Sequence, residues 1–430
     1  MKWVIYNLLF AVVYPFLLPG FLLRMVRRGG YAARMGDRFA LYPDEIRAVL
    51  ANPGKPFVWV HAVSVGEVQV AGQLMREWRL VEPDVRFCFS TTSSTGWRVA
   101  ARELSAADVL IYNPLDFPNF VKSAILTVRP RAVVLTESEI WPNFILRARC
   151  FGAKVFLINA RVSDRSAPRY KLARMFFADI FSCFARIFAQ SDLDAARLIA
   201  AGACRDRLVV SGSFKFDVAK RNAEKERELK KWVFGGESSA GKVLLGGSTW
   251  PGEDKVLLDI YKHILPANPD LKLVIAPRHF EKADAVESNI KAAGFTCVRR
   301  SRGDVGDACA KPNNVYLADT TGELMGLYGI ADTVFVGKSL CAHGSQNMIE
   351  PCLCGKNVFV GPYTENFRPV MSDLLAADAL IQMSSAAELE KGIAESFSSG
   401  SELGQRAQAA VERRRGVVSK CVHDITEALS

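Results

Sequence analysis

Apolar residues in this chain recur in short runs, separated by longer stretches where apolar and charged positions follow helical spacing. In the first half the runs fall at 57–62, 86–92, 109–115, 132–137, 154–161, 186–191 and 208–213. They are rich in Val, Ile, Leu and Phe and show little strict alternation. A run that is apolar at consecutive positions hides both of its faces, as a parallel strand does when helices cover it on both sides. A second set follows at 242–248, 271–278, 296–301, 314–320, 333–339 and 357–362. The two sets share no sequence repeat, only an architecture. The pattern predicts an α/β protein with two doubly wound, Rossmann-like domains facing a cleft.

Between the sets, "AKRNAEKERELKKWVFGGESSAG" is charged and then rich in Gly and Ser, which predicts an interdomain connector over 219–241. This bounds the domains at 29–218 and 242–402 and leaves a helical tail over 403–430. The amino terminus differs from both domains. "VIYNLLFAVVYPFLLPGFLL", residues 4–23, approaches the ~20 apolar residues of a membrane-spanning helix. Trp3, Tyr6 and Tyr14 suit an interfacial belt, and Arg24, Arg27, Arg28, Arg34 and Arg38 follow, a bias that places the downstream chain on the cytoplasmic side. The Arg-rich flank argues against a cleaved signal peptide. Pro15, Pro19 and Gly20 interrupt the run, so a span, a shallow helix in one leaflet and a buried core helix all stay open, with residues 1–28 expected to act as a membrane anchor.

The chain has 430 residues, half of them hydrophobic, enough for a full core in each half. A net charge of +10 favours anionic partners: phosphates, lipids or nucleic acid. No stretch interleaves aromatic and basic residues as nucleic-acid binders do. The 10 cysteines are scattered, with no C-x-x-C and no Cys/His cluster at metal-ligand spacing. A reducing compartment without a structural metal or disulfide framework is expected.

Ligands of doubly wound sheets bind beyond the carboxyl ends of the strands, so the residues there are the candidates. In the first half these are Ser64, Gly66 and Glu67 in "SVGEV", Glu137 and Glu139 in "TESEIWPN", and Arg161 and Arg165 in "NARVSDRS". In the second half they are Ser248 and Thr249 in "GGSTW", Arg278 and His279 in "APRH", and Gly344, Ser345, Asn347 and Glu350 in "GSQNMIEP". Small residues let backbone N–H groups approach a phosphate, and Arg can fork two bonds to its oxygens. Salt-bridged or capping carboxylates and ordinary βα turns are the plain alternatives for each. Neither a P-loop nor G-x-G-x-x-G is present, which disfavours an NAD-linked dehydrogenase. The division suits an acceptor on the first domain and a nucleotide donor on the second.

"SVGEV", "ESEIWPN", "NARVSDRS", "AQS", "GSFKFD", "GSTWPGE", "APRH", "GSQNMIEP" and "GPYTENF" occur in the order found in bacterial 3-deoxy-D-manno-octulosonic acid (Kdo) transferases, and the chain resembles that family over nearly its whole length. It departs where the family's Gly-Gly-His-Asn-Pro-Leu-Glu reads Gly344-Ser345-Gln346-Asn347-Met348-Ile349-Glu350, and where Trp250-Pro251 replaces His-Glu. The resemblance implies a GT-B fold and an inverting glycosyltransferase without a cofactor or catalytic metal. CMP-Kdo would be the donor, on the carboxyl-terminal domain. A lipid A precursor (lipid IVA) would be the acceptor, at the cytoplasmic face of the inner membrane, and the terminal helix would cross back to the first domain. It implies Glu67 as catalytic base, with Ser64 and Gly66 shaping its loop. Glu137 and Glu139 would lie on the acceptor side, and Arg161 and Arg165 would face acceptor phosphates. Ser248, Thr249, Arg278, His279, Gly344, Ser345 and Asn347 would surround the donor, with Glu350 at the ribose. Competing readings are a GT-B transferase using ADP-heptose or a UDP-sugar, and a nucleotide-binding protein without catalysis.

Overall fold

The computed structural model describes residues 2–28, 32–52, 54–218, 221–235, 241–304, 313–398 and 401–430. Each apolar run carries a strand. The first unit holds β1 (Val58–His61), β2 (Phe87–Thr91), β3 (Val109–Tyr112), β4 (Ala132–Thr136), β5 (Lys154–Ala160), β6 (Phe184–Ala189) and β7 (Leu208–Val210). They form one parallel sheet in the order β3-β2-β1-β4-β5-β6-β7. Alternate residues feed opposite faces. Trp59, Val133, Leu135, Val155 and Leu157 enter one core, and Val58, Val60, Val134, Phe156 and Ile158 enter the other. Helices cover both, so consecutive positions are apolar, as the sequence predicts.

The second unit holds β8 (Lys242–Thr249), β9 (Leu271–Pro277), β10 (Thr296–Arg299), β11 (Asn314–Leu317), β12 (Thr333–Val336), β13 (Asn357–Val360) and a two-residue β14 (Ile381–Gln382). Its parallel order is β10-β11-β9-β8-β12-β13-β14. In each sheet the first strand has its successor on one side and a later strand on the other. The switch points therefore lie at β1/β4 and at β8/β12, where a doubly wound sheet opens a crevice for its ligand.

The units divide the chain as 1–218 with 416–430, and 219–415. Two stretches differ from their sequence reading. The expected connector 219–241 lies partly outside the described residues, and what is described of it is a helix, Ala223–Phe234, capped by Asn222. Leu229, Trp232 and Val233 are buried beneath its charged surface, and Trp232 meets Tyr316 edge-on. The charge that suggests a linker is the solvated face of an amphipathic helix.

The expected tail 403–430 is two helices. Glu402–Arg413 stays in the second unit, where Gly404 is so close to the Gly355 carbonyl that a Cβ would stand 2.0 Å from that oxygen. Gly416, in the left-handed region at φ +84°, ends that path. Val417–Leu429 then closes onto the first sheet, burying Val418, Val422 and Ile425. Burying each such side chain contributes about 1.5–3 kcal/mol. Asp217 fixes the helix start, accepting from Gly416 N–H (2.7 Å) and Val418 N–H (2.8 Å).

The amino-terminal helix (Lys2–Arg28) rests on the first unit by a polar and aromatic edge. Lys2 pairs with Asp179 (3.1 Å), Tyr6 O–H donates to Asp116 (3.0 Å), Asn143 donates to Asn7 (2.8 Å), and Phe10 and Tyr14 meet Phe117. Val4, Ile5, Leu8, Leu9, Val12, Val13 and Phe16 are exposed. Among the described residues no helix is long and apolar enough to cross a membrane. Of the arginines read as a membrane flank, Arg38 is instead buried, donating to the carbonyls of Asn113 (3.1 Å) and Thr92 (2.7 Å), and Arg34 pairs with buried Asp37 (3.0 Å).

Candidate active site

β1 ends at His61, and the chain turns through Val63 and Ser64 into the helix Val65–Val81. Ser64 caps this helix: its Oγ accepts from Glu67 N–H (3.2 Å) and donates to Glu67 Oε1 (2.7 Å), a reciprocal arrangement. Glu67 Oε2 also accepts from Val63 N–H (3.0 Å). Thr136 Oγ, at the end of β4, lies 3.1 Å from the same oxygen and 3.0 Å from the His61 carbonyl, its one proton serving either. Glu67 therefore stands on the β1/β4 switch point, partly exposed and held from both strands. Gly66 is open, with only Ser64 Oγ, at 4.0 Å, near a Cβ built there.

Glu137 and Glu139 follow β4 at the same edge. Glu137 adopts a left-handed backbone (φ +51°), as does Asn159 of β5, whose amide donates to Glu137 Oε1 (3.3 Å). Arg161 Nε lies 3.7 Å from Glu137 Oε2. Burial pushes the Glu137 carboxyl up. Lys215 and Arg161 oppose this, and the neighbouring Glu67 and Glu139 add to it. Burial likewise draws the Lys215 ammonium down, against the pull of Glu137. Glu139 accepts from Trp141 Nε1 (3.0 Å) and lies 3.7 Å from Nε2 of fully buried His61, whose Nδ1 meets Ser90 Oγ at 2.9 Å. Arg165 is exposed in the turn after β5. The structure thus gathers Ser64, Glu67, Glu137, Glu139 and Arg161 on one sheet edge and adds Thr136, His61, Asn159 and Lys215. Asn159 is visible at a strand end in "NARVSDRS", His61 and Thr136 are the last residues of β1 and β4, and Lys215, in "GSFKFD", follows β7, so all four sit where a search of strand ends looks.

In the second unit β8 runs into Ser248 (φ +53°) and Thr249, both nearly buried. The β8 and β12 ends approach so closely that a Cβ on Gly337 would stand 2.3 Å from the Ser248 carbonyl oxygen, so only glycine fits there. Arg278 is exposed at the end of β9, its N–H donating to the Thr249 carbonyl (3.0 Å). His279 meets Glu281 (3.1 Å) and packs edge-on against Trp250, with centroids 4.9 Å apart. A cavity of about 140 Å³ opens among Ser248, Pro277, Arg278, Thr320 and Glu323, and one of about 230 Å³ among Thr249, Trp250, His279, Lys282 and Asn289.

Beyond β12, Gly344 (φ +115°) and Ser345 (φ +60°) turn the chain into the helix Ile349–Leu353. That helix has five residues, too short to carry the dipole of a full helix. Asn347, two residues before the helix, accepts from Ile349 N–H (3.1 Å) and donates to Glu350 (3.0 Å). Burial raises the Glu350 carboxyl against that bond.

The organiser that sequence reasoning missed is Glu253. It is fully buried, and its carboxylate accepts from the N–H groups of Trp250 (2.7 Å), Lys338 (2.8 Å), Ser339 (3.1 Å), Leu340 (3.1 Å) and Cys341 (3.4 Å). It ties the loop after β8 to the loop after β12. Among the described residues no group of three or more His, Cys, Asp or Glu side chains could hold a metal ion.

These two strand-end sites can be set against known proteins. Residues 33–218 match the family described as 3-deoxy-D-manno-octulosonic-acid transferase (kdotransferase). The chain is 33% identical over 362 residues to the 3-deoxy-D-manno-octulosonic acid transferase of Bordetella pertussis, covering 81% of this chain and 79% of that one. It is 28% identical to the Haemophilus influenzae enzyme of the same name, covering 96% of each. It also matches a Fusobacterium nucleatum bifunctional glycosyltransferase/methyltransferase at 29% identity, over 78% of this chain but 52% of that one, so it spans about half of that protein. In fold it is similar to a glycosyltransferase from Rickettsia africae, with TM-score 0.57, 14% identity, and coverage of 88% of this chain and 99% of that one. The two parallel sheets are thus GT-B-like.

Proposed function

The chain belongs to the Kdo transferase family of glycosyltransferases, and on that premise we propose that it moves Kdo from CMP-Kdo to the primary hydroxyl on the distal glucosamine of a lipid A precursor, with inversion. The observation that carries the mechanism is the setting of Glu67. A carboxylate offers about four lone-pair sites. Val63 N–H and Ser64 Oγ take two, Thr136 shares a third, and the partly exposed group keeps one for an incoming hydroxyl.

In the step we propose, the acceptor O–H gives its proton to Glu67 as its oxygen forms the bond to the anomeric carbon. The bond from that carbon to the CMP phosphate oxygen breaks, and CMP leaves with the electron pair. The Ser248 and Thr249 loop and Arg278, joined by the Arg278 N–H bond to the Thr249 carbonyl, would meet the growing negative charge. Arg161 and exposed Arg165 suit acceptor phosphates.

The acceptor is a lipid, and the amino-terminal helix supports a membrane site for it. A helix docked along one edge, with aliphatic side chains exposed along the other, suits insertion in the plane of the interface, here the cytoplasmic face of the inner membrane.

The test is CMP release from CMP-Kdo by the detergent-purified chain, with and without tetraacyl disaccharide bisphosphate. Acceptor-dependent release with a matching gain in acceptor mass is expected. Folded protein that releases CMP only by transferring Kdo to water, or that uses ADP-heptose or a UDP-sugar instead, would contradict the reading.

A further inference from the structure

Lys338 follows Gly337 at the carboxyl end of β12, beside the end of β8 and so at the switch point of the second sheet. Its φ is +57°, a conformation that penalises any residue carrying a Cβ. Two bonds hold it there. Lys338 N–H donates to Glu253 Oε2 at 2.8 Å, and its carbonyl accepts from Ser345 N–H at 2.8 Å. The same Glu253 oxygen accepts from Trp250 N–H at 2.7 Å. One buried carboxylate oxygen thus anchors the backbone of both the lysine and the tryptophan. The Lys338 ammonium then rests over the Trp250 ring, 4.9 Å from its centroid. Among the described residues it forms no ion pair. A strained backbone held by its surroundings at a ligand crevice points to a use for the side chain. A cation on a partly exposed ring is weakly held and exchanges readily for an anion.

We propose that Lys338 is a donor-binding residue whose ammonium leaves Trp250 to pair with an oxyanion of the sugar nucleotide. This rests on the CMP-Kdo reading above. CMP-Kdo carries two such groups beside the bond that breaks, the phosphate and the Kdo carboxylate, and either matches a lysine at this crevice. Trp250 holds the cation ready between turnovers, so Lys338 meets the donor at a fixed point instead of searching from solvent.

The test is the KM for CMP-Kdo and the inhibition constant of CMP in wild type, Lys338→Gly, Lys338→Met and Lys338→Arg. Glycine removes the cation and the strain together, so its melting temperature should equal or exceed that of wild type. The KM for CMP-Kdo should rise about tenfold in the Gly and Met variants, and Arg should recover most of the loss. If CMP inhibition is unchanged in those variants, the partner is the carboxylate; if it weakens in parallel, the partner is the phosphate. KM and inhibition within about twofold of wild type in both variants would overturn the assignment, because a charge-assisted bond is worth more than that. So would a loss in Gly that Met restores, which would mark the side chain as packing. Wild-type protein that does not turn over CMP-Kdo would overturn both this assignment and the reaction on which it rests.

Discussion

Glu67 and Glu253 stand at equivalent places, each a few residues past the first strand of its sheet and each in the first turn of the following helix. Both are preceded by glycine, in Ser64-Val65-Gly66-Glu67 and Trp250-Pro251-Gly252-Glu253, and the two stretches otherwise differ. What separates them is burial. Glu67 is partly exposed with a lone-pair site to spare. Glu253 is sealed under five backbone N–H groups contributed by two loops. Hydrogen bonds to a charged group contribute about 1.5–3 kcal/mol each. Replacing Glu253 with Ala should therefore cost at least about 3 kcal/mol of stability in urea unfolding and weaken CMP binding with it. A variant as stable as wild type would remove Glu253 from its organising role. Glu67 is legible in the sequence through its motif. Glu253 is not, because its partners at 338–341 lie some 85 positions away in the chain.

At the scale of elements, every apolar run became a strand, because a strand covered on both faces needs an unbroken apolar stretch. The two-residue β14 was invisible, being too short to show any pattern. The charged stretch 219–241 misled, because Leu229, Trp232 and Val233 are few among the lysines and glutamates around them. The docking of the amino-terminal helix was hidden as well, since it depends on Asp116 in "NPLDF", in the turn after β3. Asp116 is buried and accepts from Tyr6 O–H (3.0 Å) and from Asn143 N–H (3.0 Å) and Phe144 N–H (2.8 Å), both in the first turn of the helix Pro142–Cys150. Burial lifts its carboxyl to about 7, against those bonds. The unfolded chain gives up this proton at about 3.9. Between these values the folded form holds more protons, so this group's contribution to stability is full below the lower value and is lost as pH rises through the higher one. Melting temperatures between pH 4.5 and 8 should fall more steeply in wild type than in Asp116→Asn, and equal slopes would contradict the assignment.

At the scale of the whole molecule, net positive charge and an exposed aliphatic helix edge belong to the same reading, a lipid surface carrying phosphates. Replacing Leu8 and Val12 together with Glu should abolish co-sedimentation with anionic vesicles while leaving the melting temperature close to that of wild type. Unchanged sedimentation would contradict the proposed membrane contact of this helix. Under the proposed mechanism the switch points at β1/β4 and β8/β12 would each take one part of the reaction: a base for the acceptor on one unit, a cradle for the nucleotide on the other. That assignment turns on one carboxylate. The most direct measurement is the transfer rate of Glu67→Gln against wild type at saturating CMP-Kdo and acceptor, with CMP affinity and melting temperature measured alongside. Gln keeps the shape of the side chain and cannot take the proton, so the rate should fall by about 10²–10⁴ while CMP affinity and stability stay near wild type. A Gln variant that transfers Kdo within about threefold of wild type would make Glu67 a helix cap and contradict the mechanism.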